Sequence, residues 1–101
     1  TVVMYADKRT AAMEAAIGDR TRLIVAVDYA GHPADYDELT AVSDARDVTL
    51  LADVAPSLGA PYRGRPVGTL PHARALCFHP LMAITTGEAC SAVTDDEAFA
   101  A

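Results

Sequence analysis

Four groups of residues have types and spacings able to do chemistry. Asp53 directly follows the strand-like run Val48 to Ala52. Ligands of open α/β sheets bind outside the carboxyl ends of strands, so a carboxylate there can pair with a cationic ligand atom or cap the next turn. Asp28 occupies the same place after the run Arg22 to Val27, with His32 four residues on. Cys77 and His79 form a conceivable nucleophile–base pair. Residues two apart on a strand share a face without having to touch, however, and no third orienting group accompanies them. Thr85-Thr86-Gly87-Glu88 is a compact polar loop whose hydroxyls and N–H groups can hold an anion or simply make a turn, and Glu88 opposes a phosphate. The chain has no P-loop, no Gly-x-Gly-x-x-Gly and no zinc-ligand spacing.

The elements that must position these residues follow from local pattern. Val2 to Tyr5 is a β-branched strand end. After the polar turn Asp7 to Thr10, Thr10 is expected to cap a helix through Ile17, with Gly18 as its C-cap. Arg22 to Val27 lacks alternation and reads as a strand buried on both faces, the habit of parallel sheets. Asp35, with Glu38 completing a capping box, opens a helix striped by Tyr36, Leu39 and Val42 and ended by Arg46-Asp47. Val48 to Ala52 is the next strand, followed by a long loop punctuated by Pro56, Gly59, Pro61, Gly64, Pro66 and Gly68. Ala73 to Phe78 and Cys90 to Thr94 are further strands, and Asp95-Asp96-Glu97 begins a final short helix. This alternation predicts an α/β fold: a mostly parallel sheet with flanking helices, in one domain over residues 1–101. Two short helices and a stub cannot cover both faces of about five strands. The chain is therefore expected to be part of a larger domain, or to cover its bare face with a partner.

Composition narrows the partners. The chain of 101 residues is half apolar and carries a net charge of −6, which gives no general attraction to nucleic acid or to anionic membrane. No apolar run approaches the ~18 residues of a membrane span, and with the sequence opening on Thr1-Val2-Val3 no secretory leader is expected. A cytoplasmic setting with Cys77 and Cys90 as reduced thiols is the expectation. The bases are seven arginines and a single lysine, Lys8.

Residues 19 to 100 resemble the DegT/StrS family of nucleotide-sugar aminotransferases, which use pyridoxal 5′-phosphate (PLP) on the large domain of the fold-type I aminotransferases. The resemblance runs through Asp19-Arg20-Thr21-Arg22, Val27-Asp28-Tyr29-Ala30-Gly31-His32-Pro33-Ala34-Asp35, Ala52-Asp53-Val54-Ala55-Pro56-Ser57-Leu58-Gly59-Ala60 and Tyr62-Arg63-Gly64-Arg65-Pro66-Val67-Gly68. It continues in Phe78-His79-Pro80-Leu81-Met82 and Ile84-Thr85-Thr86-Gly87-Glu88. It implies amino transfer from an amino acid to a keto-sugar carried on a nucleotide, with PLP as cofactor. Asp53 matches the carboxylate that pairs with the protonated pyridine nitrogen. Pro56 stands where the family has Gln or His near the ring, and Cys77 where it has a phosphate-contacting Ser.

The resemblance also implies a lost catalytic group. Met82 stands at the position of the Schiff-base lysine, and a thioether can neither form an imine nor carry a proton. Ala89 and Cys90 replace a usual glycine pair. The segments that supply further phosphate contacts, a ring-stacking aromatic and a small C-terminal domain are not represented. The chain is thus expected to be inactive alone. The alternatives are a non-catalytic partner of a full-length aminotransferase, as a homodimer or heterodimer, and a lysine-free dehydratase-like protein that uses pyridoxamine phosphate (PMP).

Overall fold

The computed structural model describes residues 1–5, 10–69 and 72–101. Lys8 and most of the turn expected at 7–10 lie outside them. Strands β1 (Val2–Tyr5), β2 (Leu23–Val27), β3 (Thr49–Asp53), β6 (Ala73–Cys77) and β7 (Cys90–Thr94) form one sheet in the order β1-β2-β3-β6-β7. The first four run parallel and β7 returns antiparallel to β6. This is the mostly parallel α/β arrangement expected from the alternation of elements.

Helices α1 (Thr10–Ala16) and α2 (Tyr36–Arg46) are the crossovers of the β1–β2 and β2–β3 connections. The N-cap of α2 is Asp35, whose carboxylate accepts from Glu38 N at 3.4 Å. At its other end Asp47 takes a left-handed φ of 51°. Two expectations for α1 fail. Thr10 lies inside the helix with its hydroxyl buried and without a partner among the described residues. Gly18 does not take a positive φ; its N–H donates instead to Thr21 Oγ1 at 3.1 Å.

The long loop holds structure that its prolines and glycines disguised. Pro61–Tyr62 (β4) and Arg65–Pro66 (β5) pair antiparallel. Arg63 and Gly64 between them have φ of 48° and 80°, and two positive φ values in a two-residue loop match the twist of a hairpin. At the chain's end Asp96, not Asp95, caps α3 (Glu97–Ala100) by accepting from Ala98 N and Phe99 N. Asp95 instead meets the buried Arg74 at 3.0 Å.

The core lies on one side of the sheet. Ile24, Ala26, Leu50 and Ala52 are fully buried beneath Met13, Tyr36 and Leu39. The alternate residues Leu23, Val25, Val27 and Leu51 are half-buried, and Met4 on the same face is 70% exposed. Burial along β2 and β3 therefore alternates, against the two-sided burial expected from their unbroken apolar runs. Among the described residues too few helices are present to cover the second face, as their number in the sequence implied.

Candidate functional site

Asp53 is the last residue of β3, and the backbone reverses directly after it in a 3₁₀ turn, Ala55–Ser57. Its Oδ1 accepts from Ala55 N at 3.2 Å. Among the described residues no donor reaches Oδ2. Capping and ligand pairing are thus compatible: one oxygen braces the turn and the other stays available. Pro56 sits in the middle of that turn.

The turn is held from below by Asp28, which is fully buried at the end of β2. Asp28 Oδ1 accepts from Ala34 N at 2.9 Å and from the Tyr36 hydroxyl. Its Oδ2 accepts from the Ser57 hydroxyl. Three donors on one carboxylate offset much of the cost of burying its charge. Asp28 thereby ties three segments together: the loop after β2, the start of α2 and the turn that follows Asp53. Burial, and then the hydrogen bond to Asp28, push the Tyr36 phenol far above its ordinary range. The same cluster closes sterically at Gly31, with φ 78°, where a Cβ would lie 3.2 Å from Pro56 O. Asp28 is a positioning residue, and His32 has no part in its network.

Cys77 ends β6. Asp53 registers with Ala75 across the β3–β6 pair, and strand residues two apart share a face, so Cys77 lies on the Asp53 face, one step further along the neighbouring strand. The geometry gives Cys77 no histidine partner. Its sulfur lies 3.8 Å from that of Cys90, while His79 Nδ1 accepts from Leu81 N at 3.3 Å. A Cys77–His79 dyad is not formed.

The loop between β6 and β7 folds back on its own entrance. Phe78 O accepts from Thr86 N at 3.2 Å and from the Thr85 hydroxyl at 2.9 Å. Thr85 Oγ1 also accepts from Gly87 N at 3.1 Å, and Gly87 has φ 97°. The Thr-Thr-Gly frame is thus a closed turn with the Thr85 hydroxyl already engaged. Met82, half-buried, lies inside it with its N–H on His79 O at 2.8 Å.

Asp53, Pro56, Cys77 and the loop bearing Met82 therefore gather at the carboxyl end of the parallel strands. None of them lines the cleft of about 380 Å³ formed by His32, Pro33, Asp35, Glu38, Tyr62 and Arg63. The polar groups of that cleft serve each other. The Tyr62 hydroxyl donates to Asp35 at 2.8 Å and accepts from Asp37 N, while Arg63 pairs with Asp37 and stacks over the Tyr62 ring. The Tyr62 hydrogen bond above all, with the Glu38 N–H and Arg63, holds the Asp35 carboxyl below its usual range. Sequence reasoning missed this cluster and the Ser57–Asp28–Tyr36 network, because their partners lie 25 to 29 residues apart or on separate turns.

Among the described residues no group of three or more His, Cys, Asp or Glu is placed to hold a metal ion. No helix there is long and apolar enough to cross a membrane.

Known proteins are similar to this chain in sequence and in fold. A profile of the DegT/DnrJ/EryC1/StrS aminotransferase family matches residues 7–101. The protein MJ1066 of Methanocaldococcus jannaschii, itself uncharacterised, is 39% identical over 88 residues, covering 87% of this chain and 23% of its own length. S. venezuelae DesV, solved with a ketimine intermediate, superposes with a TM-score of 0.80 at 36% identity, over 86% of this chain and 24% of DesV. Helicobacter pylori PseC, an aminotransferase of pseudoaminic acid biosynthesis, gives a TM-score of 0.83 at 33% identity, over 91% of this chain and 24% of PseC. The chain spans about a quarter of the length of each. Its fold is that part of a fold-type I aminotransferase.

Proposed function

The chain belongs to the DegT/DnrJ/EryC1/StrS aminotransferase family, and from that we propose that it is a segment of the large domain of a PLP-dependent nucleotide-sugar aminotransferase that keeps the ring-binding carboxylate and lacks the amine. The observation that carries this reading is the shared face of Asp53 and Cys77 at the carboxyl ends of adjacent parallel strands, with Pro56 and the Met82 loop beside them.

The residues fit non-covalent binding of the cofactor's ring and do not fit its covalent attachment. Asp53 has Oδ2 available for a protonated pyridine nitrogen, while its other oxygen and the Asp28 network hold the turn rigid. Bound PLP supplies an electron sink for the carbanion of amino transfer. Pro56 offers the ring no hydrogen bond, and the Cys77 thiol is a poorer donor to phosphate than a hydroxyl. Met82, on this reading at the lysine position, leaves no group in the loop able to attach the cofactor or to carry the proton between substrate and cofactor. Catalytic sets fail sharply when one member is lost, so the chain alone is inactive in transamination. Cofactor pockets enclose most of their ligand, whereas these residues lie on an open face. The remaining walls, and the recognition of a nucleotide sugar, therefore belong to further polypeptide, of the same or a second chain. The half-open apolar face with Met4 and Val25 also favours a second reading, in which the chain docks on a full-length relative without doing chemistry.

Equilibrium dialysis against PLP and PMP, followed by borohydride reduction and intact-mass measurement, tests the reading. Both ligands are expected to bind without a borohydride-fixed adduct, and Asp53→Ala weakens binding about tenfold, the worth of one charge-assisted hydrogen bond. Unchanged affinity in Asp53→Ala overturns the ring site. A fixed adduct together with amino transfer to a keto-sugar overturns the inactivity.

A further inference from the structure

Cys77 and Cys90 stand directly opposite each other in the antiparallel β6–β7 pair, with their sulfurs 3.8 Å apart. Phe78 N donates to Ala89 O at 2.8 Å, so the next pair along, 78 with 89, is a hydrogen-bonded one. By antiparallel alternation 77 with 90 is then a non-hydrogen-bonded pair. Cα atoms at such a site are about 4.5 Å apart, inside the roughly 4.4–6.8 Å that a disulfide spans. Bond formation thus needs rotation of two side chains and no movement of strands. Access is asymmetric: Cys90 is exposed on the edge strand, and Cys77 is half-buried behind it. No role described above uses Cys90.

We propose that Cys77 and Cys90 form a reversible oxidation site, closed as a cross-strand disulfide by exchange with a small-molecule disulfide. The Cys90 thiolate attacks one sulfur of the oxidant R–S–S–R, forming Cys90–S–S–R and expelling RS⁻. The Cys77 thiolate then attacks the Cys90 sulfur, forming the Cys77–Cys90 bond and expelling the second RS⁻. The two cysteines lose two electrons and two protons, and the oxidant becomes two thiols. The closed bond ties together the ends of the 78–89 loop and fixes the edge strand to its neighbour. The site does not depend on cofactor binding.

The neighbouring Cys77 thiol, by hydrogen bond and then by charge, raises the pKa of Cys90. Exchange is nucleophilic attack by thiolate, so oxidation speeds up as pH rises above neutrality. The test is incubation of the whole chain with glutathione disulfide, alkylation of remaining thiols, and mass measurement without reductant. The expected product is a monomer lighter by two hydrogens, with 77 and 90 in one linked peptide pair, no alkylated thiol, and reversal by dithiothreitol. Cys77→Ser is expected to stop at a Cys90–glutathione adduct. A wild-type product carrying two glutathiones, a disulfide-linked dimer, or two unreacted thiols overturns the proposal.

Discussion

At the scale of single residues, two aspartates at equivalent strand ends have taken opposite roles. Among the described residues Asp53 keeps one carboxylate oxygen open, whereas both oxygens of Asp28 are turned inward onto Ala34, Tyr36 and Ser57. Removing the Asp28 carboxylate leaves two buried donors, Ala34 N and the Tyr36 hydroxyl, unpaired at about 1–3 kcal/mol each, and leaves the Ser57 hydroxyl only Val54 O at 3.3 Å. Asp28→Ala is therefore expected to lower the unfolding free energy by about 3 kcal/mol or more in a urea titration, and to loosen the turn that carries Pro56. Tyr36 gives this network a pH signature. Its folded pKa is raised by burial and by the Asp28 hydrogen bond, so its contribution is fully present below the unfolded phenol pKa of about 10 and is lost as pH rises above it. Tyr36→Phe should cost about 1–2 kcal/mol at neutral pH and flatten the alkaline limb of the stability curve. An alkaline limb unchanged in the variant would remove Tyr36 as its cause.

At the scale of elements, the hairpin β4–β5 locks the start of α2. Tyr62 packs edge-on to Tyr36, with ring centroids 5.6 Å apart, and its hydroxyl joins Asp35 and Asp37 N. Asp35 is the helix cap, so one hydroxyl links the hairpin to the helix that braces Asp28. The depressed pKa of Asp35 fixes the sign of its pH dependence. Its stabilisation is present above the unfolded carboxyl pKa of about 3.9 and is lost as pH falls through the lower folded value. Tyr62→Phe is expected to cost about 1 kcal/mol at pH 7, to shift the NMR titration of Asp35 upward, and to differ less from wild type at pH 3. A difference that persists undiminished in acid would assign the loss to packing instead.

At the scale of the whole molecule, the sheet is packed on one face and half-open on the other. Ile24 and Val25 are neighbours in β2 that point to opposite sides, Ile24 fully buried and Val25 half-buried. Truncation should separate them. Ile24→Ala is expected to cost about 3 kcal/mol, in the range of buried aliphatic deletions, and Val25→Ala about 1 kcal/mol or less. Equal losses in denaturant unfolding would mean that the chain in solution covers its second face. That face also carries Asp53, Cys77 and Cys90, so any polypeptide that covers it would also wall the proposed cofactor site.

The sequence by itself determined the order of strands and helices, the Asp35 cap, the mostly parallel class and the family. Each of these is written in neighbouring residues: apolar runs of strand length, a cap three residues from its donor, and contiguous motifs. It also implied the uncovered face, because helices can be counted against strands. What it left undecided were facts of register between distant segments. The unbroken apolar runs of β2 and β3 do not say that only alternate residues are buried. Prolines and glycines concealed a hairpin whose two-residue turn places Arg63 and Gly64 at positive φ. Whether Asp28 was a ligand group or a brace depended on Ser57, 29 residues away. Cys77 and Cys90 read as two unrelated thiols until antiparallel pairing set them opposite each other. Propensity acts over a few residues, whereas the partners of a buried carboxylate or a thiol are chosen by how strands align, and only the folded sheet fixes that alignment.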